Sequence, residues 1–122
     1  MIIILYNQLN KGKTMDDYFV PISIQGDLQD RANFFMNTVI PKASWRLWVD
    51  ARGKFIYIRR VMDDGTFHNL GRLIYSGDPE NMSFAIYRYR TEKYDSKNDF
   101  IGAHHLNGTL EGALKAIFDT YP

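Results

Sequence analysis

The stretch Ser44–Ser76, SWRLWVDARGKFIYIRRVMDDGTFHNLGRLIYS, decides the fold. Trp45, Leu47 and Val49 alternate with Arg46, Trp48 and Asp50, the period of two that marks a strand with one buried face. Asp50-Ala51-Arg52-Gly53 carries turn chemistry, because an Asp side chain bonds its own backbone and Gly supplies positive φ. Lys54–Met62 returns as a run rich in β-branched and aromatic residues. Asp63-Asp64-Gly65 then turns the chain again, and Asp-Gly is a strong hairpin signal. Connections this short cannot make parallel crossovers, so the strands form an antiparallel meander.

Toward the C-terminus, Thr66–Ser76 reads as a third strand in which Gly71 marks a bulge. The turn residues Gly77-Asp78-Pro79-Glu80-Asn81 separate it from a fourth, Met82–Thr91. The four strands are thus expected at 44–50, 54–62, 66–76 and 82–91. Glu92–Asn107 is a polar connection holding Tyr94, Phe100 and a His pair, with the two rings available to pack over a sheet edge. Leu110, Leu114, Ile117, Phe118 and Tyr121 then fall on one stripe, which predicts a helix at 109–120 with Thr109 as cap and Glu111 in the positive first turn.

Toward the N-terminus, Leu28, Ala32, Phe35, Met36 and Val39 recur at helical spacing, which predicts a helix at 27–39. Asp27 serves as N-cap, Asp30 sits in the first turn, and Pro41 stops the helix by disfavouring helical geometry at Ile40. Tyr18–Gln25 is read as extended, with Pro21 making it an edge strand or arm. Residues 1–14 differ from the rest. Lys11-Gly12-Lys13-Thr14-Met15 back-translates to a purine-rich stretch before a start codon. One reading therefore makes 15–122 the single α+β domain and 1–14 a mis-annotated extension or arm; the other makes Ile2–Tyr6 a strand.

A length of 122 residues fits one domain, and an apolar fraction of 45% with 24% charged residues supports a core. The aromatic share of 15% favours pleated surfaces and interfaces. No cysteine is present, which excludes disulfides, thiolate metal sites and thiol catalysis and suits a reducing compartment. No apolar run reaches the ~20 residues of a membrane span, and Met1–Tyr6 lacks the basic flank of a secretory signal, so a cytoplasmic location is expected. The net charge of +1 is unevenly spread. Residues 42–93 hold ten Lys/Arg against six acids, a net of +4, and the remainder nets −3. The sheet region is basic and its flanks are acidic.

A helix covers one face of such a sheet by burying its apolar stripe there. Alternation assigns Trp45, Leu47, Val49, Ile56, Ile58, Phe84 and Ile86 to the covered face. It sends Arg46, Trp48, Phe55, Tyr57, Arg59, Tyr87 and Tyr89 to the other, a mixture of rings and arginines. On the third strand a bulge at Gly71 would exchange Leu73 and Tyr75 with Arg72 and Ile74. Three uses of the second face are open. The N-terminal helix covers it; a second copy or another protein buries it; or unpaired bases stack on it while arginines track phosphates. The order helix, four meandering strands, helix is similar in outline to Pur-repeat and Whirly-type modules, which end a four-stranded meander with a helix. That likeness covers topology only and matches no motif residue by residue.

Catalytic motifs are absent. Ser44, Ser76, Ser83 and Ser96 lack a nucleophile-elbow context, and Lys11-Gly12-Lys13-Thr14 lacks the upstream glycine of a P-loop. Asp63-Asp64 is explained by its turn, and His68 is a lone strand histidine. His104-His105 is the most conspicuous pair. Adjacent side chains diverge, the spacing is not a zinc pattern, and even with Asp95 or Asp99 beside it the pair reads as a solvated loop feature. No catalytic residue, metal ligand or cofactor is assigned. The function expected is an interaction module of no enzymatic activity that self-associates through its aromatic face. The alternative is a weak single-stranded nucleic-acid binder using Arg46, Trp48, Tyr57, Arg59, Tyr87 and Tyr89. The second alternative is an enzyme or metal site around His104 and His105. No membrane partner is expected.

Overall fold

The computed structural model describes residues 19–122. The readings of Met15 as start, of Ile2–Tyr6 as a strand and of Tyr18 lie outside the described residues. An N-terminal helix α1 (Ile22–Val39) leads into a meander of β1 (Arg46–Arg52), β2 (Phe55–Val61), β3 (Phe67–Ile74), β4 (Ser83–Arg88) and β5 (Lys93–Asp95). A 3₁₀ turn (Ile101–His105) and the C-terminal helix α2 (Leu110–Thr120) complete it. All strands are antiparallel and lie in sequence order in one sheet. The α+β meander with a helix at each end is the expected architecture, with five strands where four were expected. The fifth is cut from the polar connection: Tyr94 pairs with Tyr87 and Lys93 with Arg88.

The first helix begins five residues before its expected start. Asp27 is not its cap, and Ile22–Gln25 is helical, not extended. Pro21, at φ −59° and ψ 148°, supplies the break and occupies the N-cap position. Gly26 lies within the helix, a cost of ~1 kcal/mol that the packing of α1 absorbs. Two hydrogen bonds fix the entry: Val20 N–H donates to Gly53 O (3.2 Å) and Gln25 Nε2 to Val20 O (2.9 Å). Helix α1 ends at Val39, before Pro41 as expected, but Val39 itself is exposed.

The first hairpin also differs, since β1 runs through Ala51 and Arg52, and Gly53 (φ 61°) with Lys54 makes a two-residue turn. The second turn is as read. Asp64 Oδ1 accepts from Thr66 N (2.9 Å) and Thr66 Oγ1 (2.6 Å), and Gly65 takes φ 87°. In β3 the register slips between Ile58 and Arg59, leaving Leu70 as the extra residue beside Gly71. Gly71 is required there, because a Cβ would lie 2.5 Å from the Phe84 ring. The bulge resolves the third strand. Leu73 joins the core, and Arg72 points to the opposite face.

Both helices pack on the same side. Leu28, Ala32, Phe35 and Met36 of α1 and Leu110, Ala113, Leu114, Ala116 and Ile117 of α2 join Leu47, Ile56, Ile58, Leu73, Phe84 and Ile86 in one core. Burying each larger side chain contributes about 1.5–3 kcal/mol. Phe35 stacks on Phe118 (6.1 Å between centroids), and Trp45 packs on Phe118 (5.4 Å) beneath the Arg60 guanidinium (4.3 Å). All seven residues assigned to the covered face lie there. The reading in which the first helix covers the second face is overturned.

Two polar devices lock the helical layer. Gln29 treats the free edge of β1 as a strand partner would: its Oε1 accepts from Val49 N (2.8 Å) and its Nε2 donates to Leu47 O (3.2 Å). That satisfies edge groups that would otherwise template aggregation. Arg31 joins α1 to α2 through Glu111 (2.7 and 2.5 Å) and reaches Glu80 (2.8 Å). The same bonds hold the Glu111 carboxyl below the usual carboxylate range and raise the Arg31 guanidinium further. Thr109 caps α2 as expected, its Oγ1 accepting from Gly112 N (3.1 Å).

Candidate functional site

The sheet face away from the helices carries the candidate site. Register fixes its rows: Arg46, Val61 and Phe67; Trp48, Arg59 and Asn69; Asp50, Tyr57, Arg72 and Ala85; Arg52, Phe55, Ile74 and Ser83; Tyr87 and Tyr94. Four arginines face one aspartate, a local net charge of +3. No helix or 3₁₀ turn among the described residues packs over these rows.

Rings and guanidiniums alternate across the surface. Arg59 lies over Tyr57 (5.3 Å) and Phe67 (5.4 Å), and Arg72 over Phe55 (4.5 Å) and Tyr94 (5.0 Å). The tyrosines form a chain of tilted contacts, Tyr57 to Tyr94 (5.6 Å), Tyr94 to Tyr87 (5.0 Å), Tyr87 to Tyr89 (5.2 Å) and Tyr89 to Tyr121 (5.2 Å). Such pairs hold rings at fixed angles and add about 0.5–1.5 kcal/mol each. The Tyr89 hydroxyl donates to Asn69 O and the Tyr121 hydroxyl to Tyr87 O (2.7 Å), tying the far end of the chain to the backbone. Burial pushes the Tyr94 and Tyr89 phenols up, so both remain neutral rings at physiological pH.

The arginines are unequally committed. Arg59 donates to Asn69 Oδ1 (3.2 Å) and pairs with Asp50 (3.3 Å), which also receives Arg52 (3.2 Å). Among the described residues Arg46 and Arg72 have no ion-pair partner, and Arg72 Nε is buried without a hydrogen bond. A stacked guanidinium with free donors is well placed to receive an acceptor from outside.

A cleft of about 440 Å³ opens at one end of this face, lined by Trp48, Asp50, Arg52, Arg59, Val61 and Phe67. Trp48 and Phe67 are 55% and 59% exposed, which is unusual for rings of this size. They stand on β1 and β3, so β2 separates them by roughly 10 Å, two strand spacings. A second cleft of about 410 Å³, between the β4 entry and the Asn107–Thr109 cap, is lined by amides, hydroxyls and apolar groups without one ionisable side chain. It offers no acid or base.

Arg46, Trp48, Tyr57, Arg59 and Tyr87 lie on this one surface, whereas Tyr89 stands in the turn after β4 at its edge, between Tyr87 and Tyr121. Four members escaped the sequence, among them Arg52, which β1 reaches by running two residues further than expected. Phe67 and Arg72 depend on the side of the bulge at Leu70, and Tyr94 on recognition of a three-residue strand in a polar loop. The signal for Tyr94 was its place among the rings already assigned to a sheet edge. Phe100, its companion in that loop, went to the core side instead, against Phe84 (6.1 Å). His104 and His105 sit on the 3₁₀ turn against α2, where they meet Asp119 and not the nearby Asp95 or Asp99. Those two carboxylates instead pair with Arg88. No helix among the described residues is long and apolar enough to cross a membrane. Compared with known families, curated proteins and solved structures, the chain gives no significant match.

Proposed function

We propose that the chain is a binding module of the cytoplasm whose open sheet face holds single-stranded nucleic acid. One observation carries the reading: exposed Trp48 and Phe67 flank a cleft on a surface of net charge +3. Bases stack on such rings at about 1–3 kcal/mol each, and sequence matters little because every base has a π-face. Arg46 and Arg52 at the rim of β1 and Arg72 deeper on the face supply the phosphate contacts. Binding is weak, since only about three charges are available and the single-strand salt slope scales as roughly −0.7 per phosphate neutralised.

Self-association through the same face is the second reading, favoured by the exposed Trp48–Phe67 pair. Charge opposes it. A two-fold contact places the same patch on both sides of the interface, so +3 would meet +3, Asp50 already included.

Fluorescence anisotropy of a labelled oligothymidylate at 50 and 200 mM salt tests the proposal, with light scattering on the same sample. The expected result is a monomer that binds at low salt, binds roughly twentyfold more weakly at high salt, and loses at least tenfold affinity in Arg72→Gln with Trp48→Ala. A dimer that Trp48→Ala dissociates, with no oligonucleotide binding, would hand the face to self-association.

A further inference from the structure

On the opposite flank of the molecule three side chains converge without any role in the sheet. His105 Nε2 lies 2.9 Å and His104 Nε2 3.9 Å from the same Asp119 oxygen, Oδ2. The three ligand atoms are all within 4.8 Å of one another. The two imidazoles do not diverge as sequence neighbours on a strand would; the tight 3₁₀ turn leaves their centroids 4.0 Å apart at 38°.

The turn that carries them is fixed against α2. Gly102 sits so close to the helix that a Cβ there would lie 2.0 Å from Ala116 O. Its N–H donates to Thr120 Oγ1 (3.1 Å), and that hydroxyl donates to Ala116 O (2.9 Å). Ala103 N–H closes the turn onto Phe100 O (3.1 Å). The histidines therefore meet Asp119 through docked backbone, not through free loop rotamers.

One imidazole is oriented for ligation and the other must release a proton to an incoming ion, because His105 Nε2 donates to Asp119 Oδ2 (2.9 Å). His104 Nδ1 lies 3.2 Å from Ile101 O, and a carbonyl only accepts, so Nδ1 carries the proton. His104 Nε2 faces Asp119 Oδ2 at 3.9 Å. A backbone carbonyl holding the second nitrogen is the arrangement that orients metal-bound histidines. Asp119 lies in the last turn of α2, where the partial negative charge of the helix end favours a cation.

We infer that His104 Nε2, His105 Nε2 and Asp119 Oδ2 form a three-ligand site for a zinc-class divalent ion, with a coordination position open to solvent. Bonds of about 2.0–2.1 Å put tetrahedral ligand atoms roughly 3.3 Å apart, so the observed 2.9 and 3.9 Å separations bracket what the ion needs. Two imidazoles and a carboxylate suit Zn²⁺ over Ca²⁺ or Mg²⁺, which prefer all-oxygen shells. Exposure of His104 and Asp119 leaves the fourth position accessible to water or a small anion. The inference is independent of the nucleic-acid reading, because none of these residues lies on the open sheet face.

Isothermal titration of tag-free protein with ZnCl₂ tests it. The chain has three histidines and no cysteine, so His68 on β3 is an internal control. One Zn²⁺ should bind per chain at micromolar concentration, and Mg²⁺ should not compete. Asp119→Asn, His105→Gln and His104→Gln should each weaken binding at least tenfold, with His68→Gln unchanged. Circular dichroism on every variant separates loss of the site from loss of the fold. Absence of saturable Zn²⁺ binding up to 1 mM by wild type overturns the inference, as does equal affinity in the His104→Gln/His105→Gln double variant.

Discussion

Both faces of the sheet carry aromatic rings, yet only one of them is packed into a core. The helical face buries Ile56, Ile58 and Ile86 completely and uses its one central cation, Arg60, as a lid over Trp45. On the other face, Arg59 and Arg72 lie among the rings, and Trp48 and Phe67 stand more than half exposed. The contrast teaches that ring content alone does not make a core. An aliphatic row permits a helix to dock, whereas a row interleaved with guanidiniums would strand charges beneath it at several kcal/mol each. The sheet thus has a side packed by helices and a side left open.

Truncating the two sides should separate them. Ile58→Ala or Ile86→Ala leaves a cavity in a fully buried row and should cost about 2–5 kcal/mol, read from denaturant midpoints. Trp48→Ala, on the opposite side, should change stability by less than about 0.5 kcal/mol. A comparable loss at both positions would break the distinction.

Gly102→Ala should follow in size. A Cβ 2.0 Å from a helix carbonyl cannot be relieved by side-chain rotation, so the 3₁₀ turn must lift from α2. The expected cost is about 1–3 kcal/mol, with nucleic-acid affinity unchanged because the open face does not depend on that turn. Thermal unfolding and anisotropy on one sample check both halves.

A smaller effect is pH-dependent. Glu111 is held below its ordinary value first by its hydrogen bonds to Arg31. A depressed carboxylate stabilises the fold above its unfolded value and loses that contribution as pH falls through the folded one. Glu111→Gln should therefore cost about 1 kcal/mol or less near pH 7, discounted because the carboxylate is 40% exposed, and progressively less as pH falls through the folded-state value. Melting temperatures of both proteins across that range should converge at the acid end.

Much of this division was legible in the alternation of residues 45–49 and 55–59, because a strand period of two assigns faces without any coordinates. The first helix was misplaced at its start because Gly26-Asp27 resembles a boundary, whereas Pro21 and the bond from Val20 to Gly53 set the real one. Arg72 depended on whether a bulge precedes or follows it, and that turns on one Gly–Phe contact across strands. Asp119 was invisible as a partner of His105, since nothing in local pattern reports which helix turn a 3₁₀ segment will dock against.

The molecule holds two tryptophans, one for each side of the sheet: Trp45 against α2 and Trp48 on the open face. Trp45→Phe and Trp48→Phe leave single reporters, and titrating each with oligothymidylate at low salt tests the central claim directly. The account predicts that Trp48 emission is quenched by the nucleic acid while Trp45 emission stays constant. Equal responses from the two, or silence from Trp48 at oligonucleotide concentrations that saturate the anisotropy signal, would contradict it.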